Sequence, residues 1–246
     1  MESYIQFTNQ SQGRDRILRT TQYACALANY LLRNDPSRKE LVVKLKSLES
    51  TVSSGRKLFR LGNTVNSLDA AKRTLLLSDP ILRCCLTISN VSRGLYFLCD
   101  NVLWARSLGF ARHIDKDRWR LNATRYYFIS LVMSLTRDLY VMAQLMVQRT
   151  RDRQHQRKLH EHLNESPDVA CVVVPQLDAL VFLLIECLKS HPAVALDTAK
   201  NVCDLFIPLD RLGVWQTNAG VVGFCGLVSS LLGILSVLKP HLKIKP

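Results

Sequence analysis

The chain has 246 residues, 48% of them apolar, which excludes disorder by composition and is enough for one or two domains. It carries 33 Lys and Arg against 20 Asp and Glu, a formal charge of +13, and so favours anionic partners such as nucleic acid or an anionic lipid surface. The eight cysteines form no Cys-x-x-Cys pair, and the first residues, MESYIQFTNQSQGRDR, place no apolar run after a basic one. Reduced thiols facing the cytosol and no signal peptide are expected.

Glycine and proline are sparse and helical spacing recurs, so the predicted fold class is all-α. Residues 14–33 put Ile17, Ala24, Leu27, Ala28 and Leu31 on one side of a helix, which Asn34-Asp35-Pro36-Ser37 ends. A second periodic run extends from Lys39 to about Leu77. Within it Leu58, Leu61, Val65 and Leu68 form an apolar seam, with Arg56, Arg60, Asn63 and Ser67 on the opposite face. Between 41 and 75 seven Lys or Arg stand against two acids. Such a helix suits the plane of an anionic membrane. Its seam would enter the lipid, and Arg56, Lys57, Arg60, Lys72 and Arg73 would meet headgroups at about 1 kcal/mol each. The same seam would also serve as an ordinary face in a helix bundle.

Ser78-Asp79-Pro80 stops this run and offers a cap, with proline at the first helical position of a third helix, Ile81 to Ser107. Part of that helix, 84–106, is apolar but contains Arg93 and Asp100. Seven residues apart on one face, these two could partly offset each other. A fourth helix, about 116–149, has an apolar stretch at 126–147 that holds Arg137 and Asp138. Each charge at mid-bilayer costs roughly 2.5–3.5 kcal/mol on insertion scales. Both stretches read either as spans or as amphipathic helices.

Residues 149–168 are highly charged and read as a mobile linker or a frayed extension of the fourth helix. Helices follow around 175–189 and 192–206, then a break at Pro208/Gly213. From Ala219 to Leu238 there is no charged side chain. Twenty helical residues span about 30 Å, the hydrocarbon thickness of a bilayer. Gly226, Ser229, Ser230 and Gly233 form small-xxx-small pairs that let helices approach closely. Lys239, Lys243 and Lys245 follow at once and place the C-terminus in the cytosol by the positive-inside bias.

No glycine-rich phosphate loop, Walker lysine or Gly-x-Ser-x-Gly elbow occurs. His155, His160 and His162 sit in the charged stretch and read as solvated. Cys84 and Cys85 read as buried small hydrophobes. No catalytic, cofactor or metal set is assigned, and a non-enzyme is expected.

Several stretches are similar to the peroxisomal membrane protein 11 (peroxin 11) family, animal alpha and beta type. They are FTNQSQGRDRILRTTQYAC, GRKLFRLGN, RGLYFLCDNVLWARSLG, RDLY, and CDLFIPLDRLGVW followed by GLVSSLLGILSVL. The resemblance covers nearly the whole chain except about 150–172.

It implies a protein of the peroxisomal membrane with both termini in the cytosol, whose amphipathic helix, here 55–76, inserts into one leaflet. It implies peroxisome elongation, fission and proliferation. It also implies self-association, also with family paralogues, and recruitment of fission adaptors and a dynamin-related GTPase. Import by the membrane-protein receptor would read roughly 200–246. Anionic lipids are then the expected surface, and nucleic acid is not.

The expected organisation follows. Residues 1–83 form a cytosolic amphipathic helical region, 84–106 a candidate first span and 107–148 a second amphipathic region. A charged linker at 149–174, facing the lumen, leads to a helical region at 175–218. A transmembrane helix at 219–238 and a basic cytosolic tail at 239–246 complete the chain. Two alternatives stand beside it: a small-metabolite channel lined by Arg93, Asp100, Arg137 and Asp138, and a soluble helical adaptor.

Overall fold

The computed structural model describes residues 11–110, 113–163, 185–186 and 188–239. All regular structure among them is helical. Helix α1 spans Ser11–Leu32, α2 Lys39–Phe59, α3 Asn63–Thr74, α4 Pro80–Ser107, α5 Lys116–Leu163, α6 Pro192–Arg211 and α7 Ala219–Leu238.

Local chemistry sets most boundaries. After α1, the Asp35 carboxylate accepts from the Ser37 amide at 3.0 Å and opens a single 3₁₀ turn, Pro36–Arg38. Asp79 caps α4 by accepting from the amides of Ile81 at 2.9 Å and Leu82 at 3.1 Å, with Pro80 first in the helix. Asp115 does the same for α5, accepting from the Asp117 amide at 3.0 Å.

Three expectations are corrected. The run from Lys39 to Leu77 is two helices, because Gly62 adopts φ +84° and turns the chain between α2 and α3. Of the two readings of the charged stretch, the extension of the fourth helix holds to Leu163, so a linker does not begin at 149. Its Arg149 and Arg153 bond Ser190 and Glu186, which anchors the extension. Pro208 does not break α6 but lies buried inside it. Proline removes only one donor, and its own carbonyl still accepts from Leu212 at 2.9 Å. The helix ends at Arg211, and Gly213 follows at φ +70°. The helix expected at 175–189 falls mostly outside the described residues.

Packing proceeds as antiparallel neighbours. α1 lies between α2 and α7, α7 against α6, α6 against α5, α5 against α4, and α4 against α3. Paired side chains fix the directions: Asp79 with Tyr140 and Ser89 with Ser130 for α4 and α5, and, for α5 and α6, Asp138 with Asn201 and Arg149 with Ser190 just before α6.

Burial is inverted relative to a protein in water. Arg19, Arg56, Asp100, Asp138, Asn201, Asp204 and the serines 130, 229 and 230 are buried, while rows of leucine and valine face outward. Water would favour the opposite arrangement, because burying charge costs several kcal/mol and exposing leucine gains nothing. A lipid surround reverses that preference.

Candidate membrane interface

The seam lies at the α2–α3 elbow and faces outward. Leu58 is 50% exposed, Leu61 42%, Val65 68% and Leu68 52%. Leu58 lies in the last turn of α2, Leu61 sits in the elbow, and Val65 and Leu68 belong to α3. The seam therefore crosses a bend rather than one straight helix over 55–76. Leu75 and Leu76 are also exposed and lengthen the apolar face. The run Leu75-Leu76-Leu77 carries the apolar face beyond Leu68, where the seam expected from spacing ends.

Beneath the seam, two arginines expected at lipid headgroups point inward instead. Arg56 is only 6% exposed. Its Nε donates to Asp15 at 3.0 Å and its Nη1 to Gln22 at 2.6 Å, both on α1. Arg60 donates to Asp15 at 3.2 Å, to the Tyr96 hydroxyl at 2.6 Å and to Asp100 at 3.1 Å. The cause is geometric: with the seam outside, the opposite face of the same turns is the inside. Burial and then the neighbouring Arg60 charge push the Arg56 guanidinium down to about 10, which leaves it charged at neutral pH.

The other expected headgroup cations stay on the surface. Lys72 and Arg73 are exposed, and Lys57 is half-buried. Arg73 pairs with Asp69 one turn away at 3.1 Å, both in solvent, an arrangement worth little by itself.

α7 is the one described helix long and apolar enough to cross a membrane. It has two distinct sides. Val221, Phe224, Leu231, Leu235 and Leu238 point outward. Gly220, Gly223, Gly226, Ser229, Ser230 and Gly233 are buried. Gly226 and Gly233 lie against Tyr23 and Arg16 of α1. Ser229 donates to Asp204 on α6, and Ser230 to its own Gly226 carbonyl at 2.5 Å. Lys239 follows α7 and is exposed, whereas Lys243 and Lys245 lie outside the described residues.

The charges of the two flawed apolar stretches are paired between helices. Asp100 meets Arg60 rather than Arg93, which corrects the pairing expected within α4. Arg137 pairs with Asp138 and with Asp197 of α6, and Asp138 accepts from Asn201 at 2.8 Å. Such partners lower the cost of charge in an apolar surround. Asp100 and the Arg137–Asp138 pair belong to separate bonded clusters.

Cys84 is exposed, contrary to expectation, while Cys85 is buried. His155 is exposed, and the side chains of His160 and His162 lie outside the described residues. Among the described residues no group of His, Cys, Asp and Glu is arranged to hold a metal.

Comparison with known proteins adds an independent line. A sequence model of the family described as Peroxisomal biogenesis factor 11 (PEX11) matches residues 1–238. The chain is 46% identical to Peroxisomal membrane protein 11A of Bos taurus, covering 100% of this chain and 99% of that protein. It is 42% identical to Peroxisomal membrane protein 11B of Homo sapiens, covering 100% of each. It is 25% identical to the Peroxisomal membrane protein 11 homolog of Dictyostelium discoideum, covering 95% of this chain and 92% of that one. No solved structure matches.

Proposed function

The chain belongs to the Peroxisomal biogenesis factor 11 family of peroxisomal membrane proteins, and from that premise we propose that it remodels the peroxisomal membrane, driving elongation ahead of fission. The observation that carries this reading is the outward seam Leu58–Leu61–Val65–Leu68 on a bent, basic-flanked elbow. Apolar side chains seated at headgroup depth widen one leaflet relative to the other, and a crowd of such wedges bends the sheet into a tubule. Lys57, Lys72 and Arg73 supply attraction to anionic lipid at about 1 kcal/mol each.

In this reading α7 spans the bilayer, with 84–106 as a further span, and both termini face the cytosol. Self-association concentrates the wedges. Fission adaptors and a dynamin-related GTPase then act on the elongated membrane, and the import receptor reads the C-terminal span with its lysines. The role is mechanical, with no covalent chemistry.

The test is expression in cells lacking the protein, with peroxisome length scored by microscopy. The wild-type chain should produce elongated peroxisomes. A Leu61→Asp/Val65→Asp chain should reach peroxisomes at the same level and leave them round. Equal elongation by both would refute the wedge.

A further inference from the structure

We infer that α1, which the sequence assigns to a cytosolic region, lies within the bilayer as the packing partner of α7; the inference rests on α7 being a span. The contacts run the length of α7. A Cβ added at Gly220 would lie 2.5 Å from the Tyr30 ring, and one at Gly223 would lie 3.2 Å from the Leu27 backbone nitrogen. Gly226 abuts Tyr23, and a Cβ at Gly233 would meet the Arg16 guanidinium at 2.5 Å. The register is antiparallel and continuous from Tyr30 opposite Gly220 to Arg16 opposite Gly233. Thirteen residues of helix rise about 20 Å, roughly two thirds of the hydrocarbon thickness. A helix bound to the span over that distance occupies the same depth.

Sequence hydropathy cannot find α1, because Arg14, Asp15, Arg16 and Arg19 interrupt it. The structure shows how part of that charge is accommodated. Arg19 is buried and pairs with Asp204 of α6, and Asp204 also accepts from Ser229 of α7. Asp15 accepts from Arg56 and Arg60. The glycine and serine side of α7 therefore has an occupant within the same chain. The arrangement also brings Ser11 to the same end of the bundle as Leu238, since Arg16 sits beside Gly233. Ser11 in turn donates to the Phe59 carbonyl at 2.8 Å, which places the elbow at that end too.

The experiment uses the full chain in intact peroxisomes. Ala24 is an exposed, small residue midway along α1, so Ala24→Cys is a mild probe. A membrane-impermeant maleimide is applied before and after detergent, and the α1 peptide is read by mass. The inference predicts loss of labelling at position 24 in intact organelles and labelling after detergent. Sodium carbonate extraction of the wild-type chain is run in parallel. Wild type retained in the pellet with Ala24→Cys fully labelled in intact organelles would overturn this inference alone. Wild type released by carbonate would overturn the span reading together with it.

Discussion

Arg56 and Lys72 have the same charge and lie on neighbouring helices, yet the structure gives them different work. Arg56 is buried against Asp15 and Gln22, so Arg56→Ala removes the donor to Gln22 and leaves the half-buried Asp15 carboxylate with Arg60 alone. Losing a hydrogen bond to a charged group costs about 1.5–3 kcal/mol. The expected result is a protein of lower thermal stability in detergent, whatever the lipid charge. Lys72→Ala should leave stability unchanged and weaken binding to anionic vesicles by about 1 kcal/mol, an effect that shrinks as salt rises. Equal stability of the two variants would contradict the inward placement of Arg56. The glycines of α7 divide similarly. At Gly226 an added side chain meets the buried Tyr23 ring, whereas at Gly233 it meets the far end of a flexible arginine. Gly226→Leu should destabilise by about 1–3 kcal/mol through overpacking, and Gly233→Ala by less. Detergent thermal-shift curves compare them.

At the scale of elements, the cap of α4 gives a pH-dependent prediction. The Leu82 amide, together with the Tyr140 hydroxyl, holds the Asp79 carboxyl below the ordinary carboxylate range. A lowered folded-state value contributes stability at pH above the unfolded value, and that stability is lost as pH falls through the folded value. Asp79→Ala should therefore melt below wild type at neutral pH, with the gap closing on acidification. A gap that stays constant down to strongly acid pH would refute the ionised cap.

The Asp79-Pro80 cap was legible in the sequence because it is local: carboxylate, proline and amides lie within four residues. So was α7, whose uncharged length is a one-dimensional signal. The Gly62 elbow was not, since one glycine within a periodic run is compatible with a continuous helix. Pro208 misled in the other direction, because a buried helix tolerates one missing donor. The largest failure concerned Arg56 and Arg60. Their partners Asp15, Gln22, Tyr96 and Asp100 lie 34 to 45 residues away, and no spacing rule connects them. Reading them as headgroup contacts treated the seam's opposite face as surface, although the rest of the bundle covers it.

At the scale of the whole molecule, inverted burial ties these elements together. Polar groups bind helix to helix inside, and apolar side chains face out, which is the distribution a lipid surround selects. Deleting 219–246 removes the clean span, the lysines after it and the helix that covers α1. That truncated chain should be cytosolic or degraded, as fractionation would show. Its full retention on peroxisomes would contradict the role given to the C-terminal segment.

The most direct measurement reconstitutes purified full-length protein into liposomes with a stated anionic fraction and images them by electron cryomicroscopy. Leu61→Asp/Val65→Asp removes roughly 3–5 kcal/mol of apolar burial in lipid per molecule. Because both positions are exposed, the variant should fold and incorporate as wild type does. Wild type is expected to draw tubules in numbers that rise with anionic lipid, and the variant to leave spheres at equal incorporation. Tubulation by the variant, or spheres from well-incorporated wild type, would contradict the account.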